Sequence, residues 1–384
     1  MNPLRIAILG STGSIGSSTL RAVRALKGRV RVELLAAQGT RPELLAAQAA
    51  EFRPSMVSVT DKALAPEVKR LLPKECTFLS GMDELCSALR SDRIDLVLCA
   101  IAGSPGLRPV VETLRAGKRL ALATKEALVM AGRYVTDLAA KNGVKIFPVD
   151  SEHSAIFQCM EGRDPSQIKE IVLTASGGPF RSKTRAEMDR MTWADALKHP
   201  VWSMGPKVSV DSASLMNKAL EIVEARWLFD MDADRIGVVI HPQSVIHSMI
   251  RFRDGAILAQ MSVPDMIFPI QYALTWPERV ESGLPALDLA ASGPLTFEEA
   301  SETRFPALGF ARSALRSGKT FPLAMNAAND MALERFRAGE IPFTGIWEIV
   351  EKTLEAHRPL NDLDLDEILE ADRLAREYAR TVRV

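Results

Sequence analysis

The chain has 384 residues, of which 47% are hydrophobic and 25% are charged. Lysine plus arginine and aspartate plus glutamate each number 48, so the formal net charge is zero. This balance excludes the global basic field that holds nucleic acids or anionic membranes. The longest apolar runs, such as residues 96–102, are far shorter than the roughly 18 residues of a membrane span.

The first 150 residues alternate short apolar runs with stretches of helical periodicity, such as 43–52 and 106–116. Strands that are apolar throughout and separated by helices are typical of a parallel sheet covered on both faces. We therefore predict a doubly wound α/β nucleotide-binding domain at 1–150. Its predicted strands are 5–9, 30–36, 56–59, 94–99, 119–123 and 144–148.

The pattern changes after residue 150 to longer strands that follow one another. Arg253-Asp254-Gly255 is a hairpin-turn signal between the last two of them. We predict an α+β domain at 151–285, a linker at 286–310 and a C-terminal helical domain at 311–384. The predicted strands of the second domain are 168–175, 235–240, 244–252 and 256–263.

A glycine-rich turn joins the first strand to the first helix, with Gly10, Gly13 and Gly16 at intervals of three. Glycines let the backbone approach a pyrophosphate, and the helix N-terminus binds its charge. Placed after the first strand of an alternating α/β domain, this turn predicts dinucleotide binding.

The end of the second strand indicates which dinucleotide is bound. Gly39-Thr40-Arg41 contains no acidic residue for a ribose hydroxyl, while Thr40 and Arg41 can hold a 2′-phosphate, so NADPH is favoured. Glu33 lies within the strand and should not reach the ribose. The alternative for Arg41 is an ordinary solvated surface charge.

Two carboxylates, Asp150 and Glu152, follow the last parallel strand, at the edge where α/β proteins bind ligands. With a third carboxylate they would suit Mg²⁺ or Mn²⁺, which prefer oxygen ligands. The alternative is a helix cap, with Asp150 or Ser151 at the N-cap and an acid in the first turn.

A second polar cluster is predicted at residues 212–221. Asn217 and Glu221 are four residues apart on one helix, and Lys218 and Glu221 are three apart. These residues would make a phosphate site and a third metal ligand, or only a surface salt bridge. Ser212 and the glycine-rich turn after Ser176 can contribute further anion-binding groups.

Between these clusters, residues 199–207 combine proline and glycine with Trp202 and Met204. Large apolar side chains in such a loop predict a lid over substrate, and the alternative is a tryptophan fixed in a domain interface. The remaining histidines, His241, His247 and His357, match no zinc spacing and are expected to be structural.

Taken together, these motifs resemble the 1-deoxy-D-xylulose 5-phosphate reductoisomerase family. The resemblance extends from residue 10 to residue 330. The matching motifs are GSTGSIG (10–16), TKEALV (124–129), PVDSEHSAIFQ (148–158), SGGPFR (176–181), HPVWSMGPKVSVDSASLMNKALEIVEA (199–225) and MNAAND (325–330).

The resemblance implies a role for individual positions. Its NADPH-contacting positions are Thr12, Gly13, Ser14, Ile15, Gly39, Thr40, Arg41, Thr124, Glu126 and Gly205. Its ligands for Mg²⁺ or Mn²⁺, one ion per subunit, are Asp150, Glu152 and Glu221. Its substrate positions are Lys125, Ser151, Glu152, Ser176, His199, Trp202, Ser212, Asn217, Lys218 and Glu221, and among them Lys125, Glu152 and His199 are the candidate catalytic residues. Two departures from the family are Thr124, where Asn is usual, and the Gly39–Pro42 tip.

The resemblance implies a cytoplasmic homodimer that converts 1-deoxy-D-xylulose 5-phosphate to 2-C-methyl-D-erythritol 4-phosphate in the non-mevalonate isoprenoid pathway. The N-terminal residues are typical of neither a signal nor a transit peptide. The four cysteines (Cys76, Cys86, Cys99 and Cys159) are expected to be reduced thiols. Two other functions stay open at this point: a metal-independent NADP dehydrogenase and a non-catalytic nucleotide sensor.

Overall fold

The structure is a computed structural model that describes residues 2–202 and 204–384. The chain divides into two compact units. The first consists of residues up to Ala127, Val135–Ser154 and Asp265–Pro285. The second consists of Leu128–Tyr134, Ala155–Pro264 and Ala286–Val384. The predicted boundaries at 150, 285 and 310 stay a prediction.

The described residues form strands and helices that are numbered here in chain order. The strands are β1 (Leu4–Leu9), β2 (Val30–Ala37), β3 (Met56–Val59), β4 (Thr77–Ser80), β5 (Leu96–Cys99), β6 (Arg119–Leu122), β7 (Ile146–Pro148), β8 (Ile168–Ala175), β9 (Ile236–Ile240), β10 (Ile246–Phe252), β11 (Ile257–Met261) and β12 (Glu298–Glu299). The helices are α1 (Ser14–Ala25), α2 (Pro42–Phe52), α3 (Ala65–Leu71), α4 (Met82–Ala88), α5 (Leu107–Arg115), α6 (Glu126–Lys141), α7 (Ser151–Met160), α8 (Arg185–Met188), α9 (Trp193–Ala196), α10 (Pro206–Ala213), α11 (Met216–Phe229), α12 (Ile267–Thr275), α13 (Ala307–Ser317), α14 (Phe321–Arg337), α15 (Gly345–Ala356) and α16 (Leu365–Thr381).

The first unit is built on a seven-stranded parallel sheet in the order β4-β3-β2-β1-β5-β6-β7. Its strands are apolar because both faces are covered, and in β1 the residues from Ile6 to Leu9 are fully buried. The six strands predicted from sequence are confirmed to within two residues at each end. The edge strand β4 was not predicted, because it is short and only partly buried. Helix α12 packs against α1 in this unit.

The second unit contains a five-stranded mixed sheet in the order β11-β10-β8-β9-β12. β8 and β9 are parallel, and β10 is antiparallel to both β8 and β11. The predicted hairpin between β10 and β11 is confirmed: Gly255 has φ +93°, and the Phe252 amide donates to the Ala256 carbonyl at 2.8 Å. The two-residue strand β12 was not predicted.

The predicted C-terminal helices are confirmed as α13–α16, with α14 packed against both α15 and α16. Trp347 of α15 lies at the centre of this region and is 1% exposed. Its ring meets Phe305 and Phe343 edge to face, and its Nε1 donates to the Ser214 carbonyl at 3.1 Å. This core joins α15 to the short loop between α10 and α11.

Among the helices of the described residues, none has the length and apolar character needed to cross a membrane.

We predict that Trp347→Ala lowers the free energy of unfolding by about 3–5 kcal/mol, because it empties a closed aromatic cluster. Trp347→Phe retains most of the apolar volume and should cost less, losing mainly the hydrogen bond to Ser214. Urea unfolding followed by circular dichroism measures both variants. A loss below about 1 kcal/mol for Trp347→Ala would contradict the central position of this ring.

Candidate active site

The glycine turn of the first unit lies tightly against its neighbours. Gly10 has φ +86°, and a Cβ on it would stand 2.4 Å from the Ala100 carbonyl oxygen. A Cβ on Gly16 would stand 2.3 Å from the Gly10 carbonyl oxygen. Helix α1 therefore begins close to the strand ends, and its first turn carries no acidic side chain. Its N-terminus can bind an anion.

The tip after β2 contacts this turn. Arg41 Nη1 donates to the Thr12 carbonyl oxygen at 3.2 Å, so the guanidinium stands beside the predicted pyrophosphate site. Glu33, by contrast, is buried and accepts a hydrogen bond from Ser55 Oγ at 2.6 Å. Its carboxylate also pairs with Arg31 at 2.8 Å. This agrees with the prediction that Glu33 does not serve the ribose.

Thr124, which lies just before α6, is hydrogen-bonded to the backbone at the end of β5. Its hydroxyl lies 2.7 Å from the Ile101 carbonyl oxygen and 3.3 Å from that of Cys99. A hydroxyl has one proton, and here that proton is directed to the backbone. What remains for a ligand is an acceptor, where the amide of an asparagine would also offer donors.

Asp150 follows β7 and Lys125 follows β6, so the two residues come from the same edge of the parallel sheet. Lys125 Nζ lies 2.5 Å from Asp150 Oδ2, and His153 Nδ1 lies 3.7 Å from the same oxygen. Burial alone would raise the pKa of Asp150, but Lys125 and His153 together hold it well below its usual value. The carboxylate is therefore ionised at neutral pH, as a metal ligand must be.

Ser151 and Glu152 open helix α7 immediately after Asp150. Ser151 Oγ donates to Glu152 Oε2 at 2.6 Å. Glu152 lies in the first helical turn, where an acid is favoured by the helix dipole, as the helix-cap alternative also predicts. The structure thus places carboxylates at residues 150 and 152, one directly before α7 and one in its first turn. This local geometry fits a helix cap and a metal ligand equally.

In the second unit, Ser176 follows β8 and opens a glycine turn that lies against α10. Gly178 has φ +64°, and a Cβ on it would stand 2.6 Å from the Ser212 carbonyl oxygen. Only glycine fits this close approach. The turn therefore brings Ser176 near Ser212, two serines predicted from sequence to share an anion site.

His199 joins this group through Ser176. Its Nδ1 accepts hydrogen bonds from the backbone amides of Val201 at 3.2 Å and Trp202 at 2.8 Å. An acceptor Nδ1 places the proton of the neutral ring on Nε2, which lies 2.8 Å from Ser176 Oγ. The Gly178 amide also donates to that oxygen, at 3.1 Å. Ser176 thus accepts two hydrogen bonds and can donate its own proton to a ligand.

Helix α11 holds the three remaining residues of the predicted cluster. It begins after Leu215, which adopts a left-handed conformation with φ +57°. Asn217 and Lys218 both donate to the Glu221 carboxylate. Lys218 is 3% exposed and Glu221 is 0% exposed, so the alternative of a surface salt bridge is wrong. A buried ion pair costs desolvation energy, and such pairs often belong to functional sites.

The lid segment was predicted as residues 199–207, but its last two residues belong to α10, whose N-cap is Gly205. The proposed lid therefore ends at Gly205. Trp202 is half-buried, and its ring centroid lies 6.1 Å from that of His247. Ser203 lies outside the described residues.

The other histidines are held by neighbouring groups. His247 Nε2 lies 2.9 Å from Ser262 Oγ, and His241 Nδ1 lies 3.0 Å from the Thr296 carbonyl oxygen. His357 Nε2 lies 2.9 Å from Thr320 Oγ1. These contacts agree with the structural role expected from sequence.

Two groups near the predicted residues were not found from sequence. His153 on α7 approaches Asp150, which directly precedes that helix, and the spacing of three residues could have indicated this contact. Lys207 and Asp211 form an ion pair on α10, and their signal was the spacing of four. Asp330, which also contacts Lys207, gave no signal beyond its place in the MNAAND motif.

Three family models match the chain. The model "1-deoxy-D-xylulose 5-phosphate reductoisomerase" matches residues 6–132. Its C-terminal domain model matches 146–229, and a second model, "DXP reductoisomerase C-terminal domain", matches 261–378.

Curated relatives match over nearly the whole chain. The 1-deoxy-D-xylulose 5-phosphate reductoisomerase of Chlorobium phaeovibrioides is 50% identical over 378 residues, which cover 98% of each chain. That of Geobacter metallireducens is 49% identical over 378 residues, with the same coverage.

Solved structures also match over nearly the whole chain. The reductoisomerase from Zymomonas mobilis in complex with NADPH gives a TM-score of 0.92 at 39% identity, covering 98% of each chain. A DOX-P reductoisomerase in complex with NADPH, fosmidomycin and magnesium gives a TM-score of 0.92 at 40% identity. That match covers 98% of this chain and 97% of the other.

Proposed function

The chain belongs to the 1-deoxy-D-xylulose 5-phosphate reductoisomerase family, and from this membership we propose how its own residues carry out the reaction. It is an enzyme that converts 1-deoxy-D-xylulose 5-phosphate in isoprenoid synthesis, with NADPH and Mg²⁺ as cofactors. The metal-independent dehydrogenase and the nucleotide sensor considered from sequence are therefore wrong. The product we propose is 2-C-methyl-D-erythritol 4-phosphate.

The first unit supplies most of the proposed NADPH site. The glycine turn and the α1 N-terminus suit the pyrophosphate, and Arg41 beside Thr12 suits the 2′-phosphate. Thr124 is proposed to contribute an acceptor only, since its proton is used by the backbone. The proposed contacts are Thr12, Gly13, Ser14, Ile15, Gly39, Thr40, Arg41, Thr124, Glu126 and Gly205.

Asp150, Glu152 and Glu221 are the proposed metal ligands. Three carboxylates are the donor set that Mg²⁺ and Mn²⁺ prefer, and the low pKa of Asp150 keeps it ionised despite burial, which by itself raises that pKa. Glu221 is fully buried with Lys218 and Asn217 at its oxygens, so its carboxylate is already oriented. When bound, the divalent ion supplies Lewis-acid polarisation of substrate oxygens.

Ser176, Ser212, Asn217 and Lys218 are proposed to bind the substrate phosphate. The support is local: Ser176 has a proton to donate, Gly178 holds its turn against Ser212, and Lys218 is a buried cation. Phosphate binding remote from the reacting carbons can provide the energy for orientation and lid closure. Ser151, His199 and Trp202 complete the proposed substrate contacts.

The proposed reaction has two stages, a rearrangement of the carbon skeleton by retro-aldol cleavage and aldol rejoining, and then reduction of the resulting aldehyde with hydride from NADPH. Lys125 is proposed to hold and move a proton at its Nζ, which Asp150 fixes in place. Glu152 is proposed to orient the substrate hydroxyls. His199 is proposed to keep the Ser176 hydroxyl aimed at the phosphate through its Nε2 proton.

The observation that carries this proposal is the buried Lys218–Glu221 pair with Asn217 at the start of α11. A helix with only a structural role would not be expected to bury such a pair, because burial costs desolvation energy. The function itself is tested by NADPH oxidation with 1-deoxy-D-xylulose 5-phosphate. EDTA should abolish the reaction and added Mg²⁺ should restore it. Full activity in EDTA would contradict the metal assignment.

We predict that Glu221→Gln reduces kcat/KM by more than about a hundredfold, or about 2.7 kcal/mol, because an amide is a poor ligand for Mg²⁺. NADPH affinity, measured by fluorescence titration, should stay within about twofold of wild type, a difference of about 0.4 kcal/mol. Glu377→Gln on the exposed face of α16 is the matched control and should change neither quantity. Near-normal activity and metal affinity in Glu221→Gln would remove Glu221 from the ligand set.

A second prediction separates a lid from a static interface at Trp202. Trp202→Ala should raise the KM for substrate by at least about tenfold while costing little stability, because the half-buried ring gains its contacts when ligand binds. Wild-type tryptophan fluorescence should change when metal, NADPH and a phosphonate substrate mimic bind together, and the variant should lose that change. A large fall in melting temperature with an unchanged KM would make Trp202 a packing residue, like Trp347.

We further propose a cytoplasmic homodimer. The support for association is strand β11 at one edge of the second sheet, where Ile257 is 51% exposed, since proteins seldom leave such an edge open.

Within each subunit, we propose that residues 1–150 bind NADPH and that residues 151–285 carry the metal site and the lid. Residues 286–310 are proposed to link this part to the helices at 311–384.

Sedimentation equilibrium should give twice the chain mass at micromolar concentration. Ile257→Lys should weaken the association, because it places a charge on the proposed contact. A wild-type monomer at that concentration would contradict the proposed dimer.

A further inference from the structure

A network of charged side chains connects α10 to the C-terminal helices of the second unit. Lys207 Nζ lies 2.8 Å from Asp211 Oδ2 and 3.3 Å from Asp330 Oδ1. Arg376 of α16 holds the other oxygen of Asp330, at 2.8 Å, and Asp372 at 2.7 Å. The network thus extends from the last helix of the chain, through α14, to the first turn of α10.

This network is partly shielded from water, and Lys207, with 28% of its side chain exposed, is its most exposed member. Asp211 is 1% exposed, and its second oxygen accepts a hydrogen bond from Asn329 Nδ2 at 2.7 Å. The side chains of Asp330 and Arg376 are 13% and 17% exposed. An ion pair among partly buried groups is screened less than a surface pair, and losing one partner leaves a charge uncompensated.

Lys207 connects this network to the proposed substrate site. It is the second residue of α10, two residues after Gly205, where the proposed lid segment ends. Asp211 directly precedes Ser212, whose carbonyl oxygen leaves no room for a Cβ on Gly178. The network therefore fixes both ends of α10, the helix that connects the proposed lid to the proposed phosphate site.

We propose that Asp330 is a positioning residue for the substrate. Through Lys207 it anchors the first turn of α10, and thereby sets where Gly205, the last residue of the proposed lid, and Ser212 stand. This inference rests on the proposed function, in which the lid and Ser212 hold the phosphorylated substrate. Asp330 itself contacts no reacting group in this assignment.

The test compares two Asp→Asn substitutions that both remove a partner of Arg376. Asp330→Asn also removes a partner of Lys207, whereas Asp372→Asn does not. Asp330→Asn should raise the KM for 1-deoxy-D-xylulose 5-phosphate about tenfold. The KM for NADPH should stay within about twofold, because Gly205 is the only one of the proposed NADPH contacts that lies in this unit. Asp372→Asn should leave both KM values unchanged even if its melting temperature falls.

A double-mutant cycle tests whether the effect passes through Lys207. Lys207→Gln should raise the same KM, and Asp330→Asn should add little to it in the Lys207→Gln background. Asp330→Glu keeps the charge and should restore most of the substrate affinity. If Asp330→Asn does not fold, Lys207→Gln still tests the contact, and an unchanged substrate KM in Lys207→Gln would overturn the inference.

Equal KM changes in Asp330→Asn and Asp372→Asn would overturn the inference, because general loosening of the helices would then explain both. An unchanged substrate KM in Asp330→Asn would also overturn it. Ser212→Ala distinguishes this failure from that of the proposed function. If Ser212→Ala raises the substrate KM and Asp330→Asn does not, only the positioning role fails. If neither variant changes it, the proposed phosphate site fails as well.

Discussion

A carboxylate removed from water needs a positive charge beside it, and this constraint organises the functional part of the molecule. Lys125 accompanies Asp150 at the edge of the parallel sheet, and Lys218 accompanies Glu221 on α11. Lys125 helps to hold the pKa of Asp150 below its usual value despite burial, and Lys218 orients the carboxylate of Glu221. Within each unit the pair is therefore arranged by the fold before cofactor or substrate binds, and such preorganisation favours catalysis.

Most of the fold could be predicted from the sequence, because strands, helices and turns are indicated by patterns of neighbouring residues. The apolar runs of the strands and the Arg253-Asp254-Gly255 turn were sufficient to predict ten of the twelve strands in the described residues. The missing strands, β4 and β12, are short and polar or half-exposed, so pairing with a neighbour defines them more than composition does. The packing of α12 on α1 joins residues far apart in sequence, and periodicity carries no information about such a contact.

The candidate site likewise has a part that the sequence predicted and a part that it could not predict. Helical spacing was enough to place Asn217, Lys218 and Glu221 on one face, and the structure confirms their contacts. Burial was not predictable, and burial is what distinguishes this group from a surface salt bridge. The Nε2 proton of His199 and the link from Asp330 to Lys207 depend on tertiary contacts alone. The family resemblance provided roles for individual residues that chemical pattern left open, above all for Asp150 and Glu152.

The central claim is that Asp150, Glu152 and Glu221 together bind one divalent ion in each chain. Anomalous scattering from crystals soaked in Mn²⁺ tests it most directly, because the signal locates the ion without reference to activity. We expect one strong peak within coordination distance of oxygens from all three carboxylates, about 2.0–2.2 Å as for Mg²⁺ and similar ions. A peak elsewhere, or none at these residues under saturating Mn²⁺, would contradict the account.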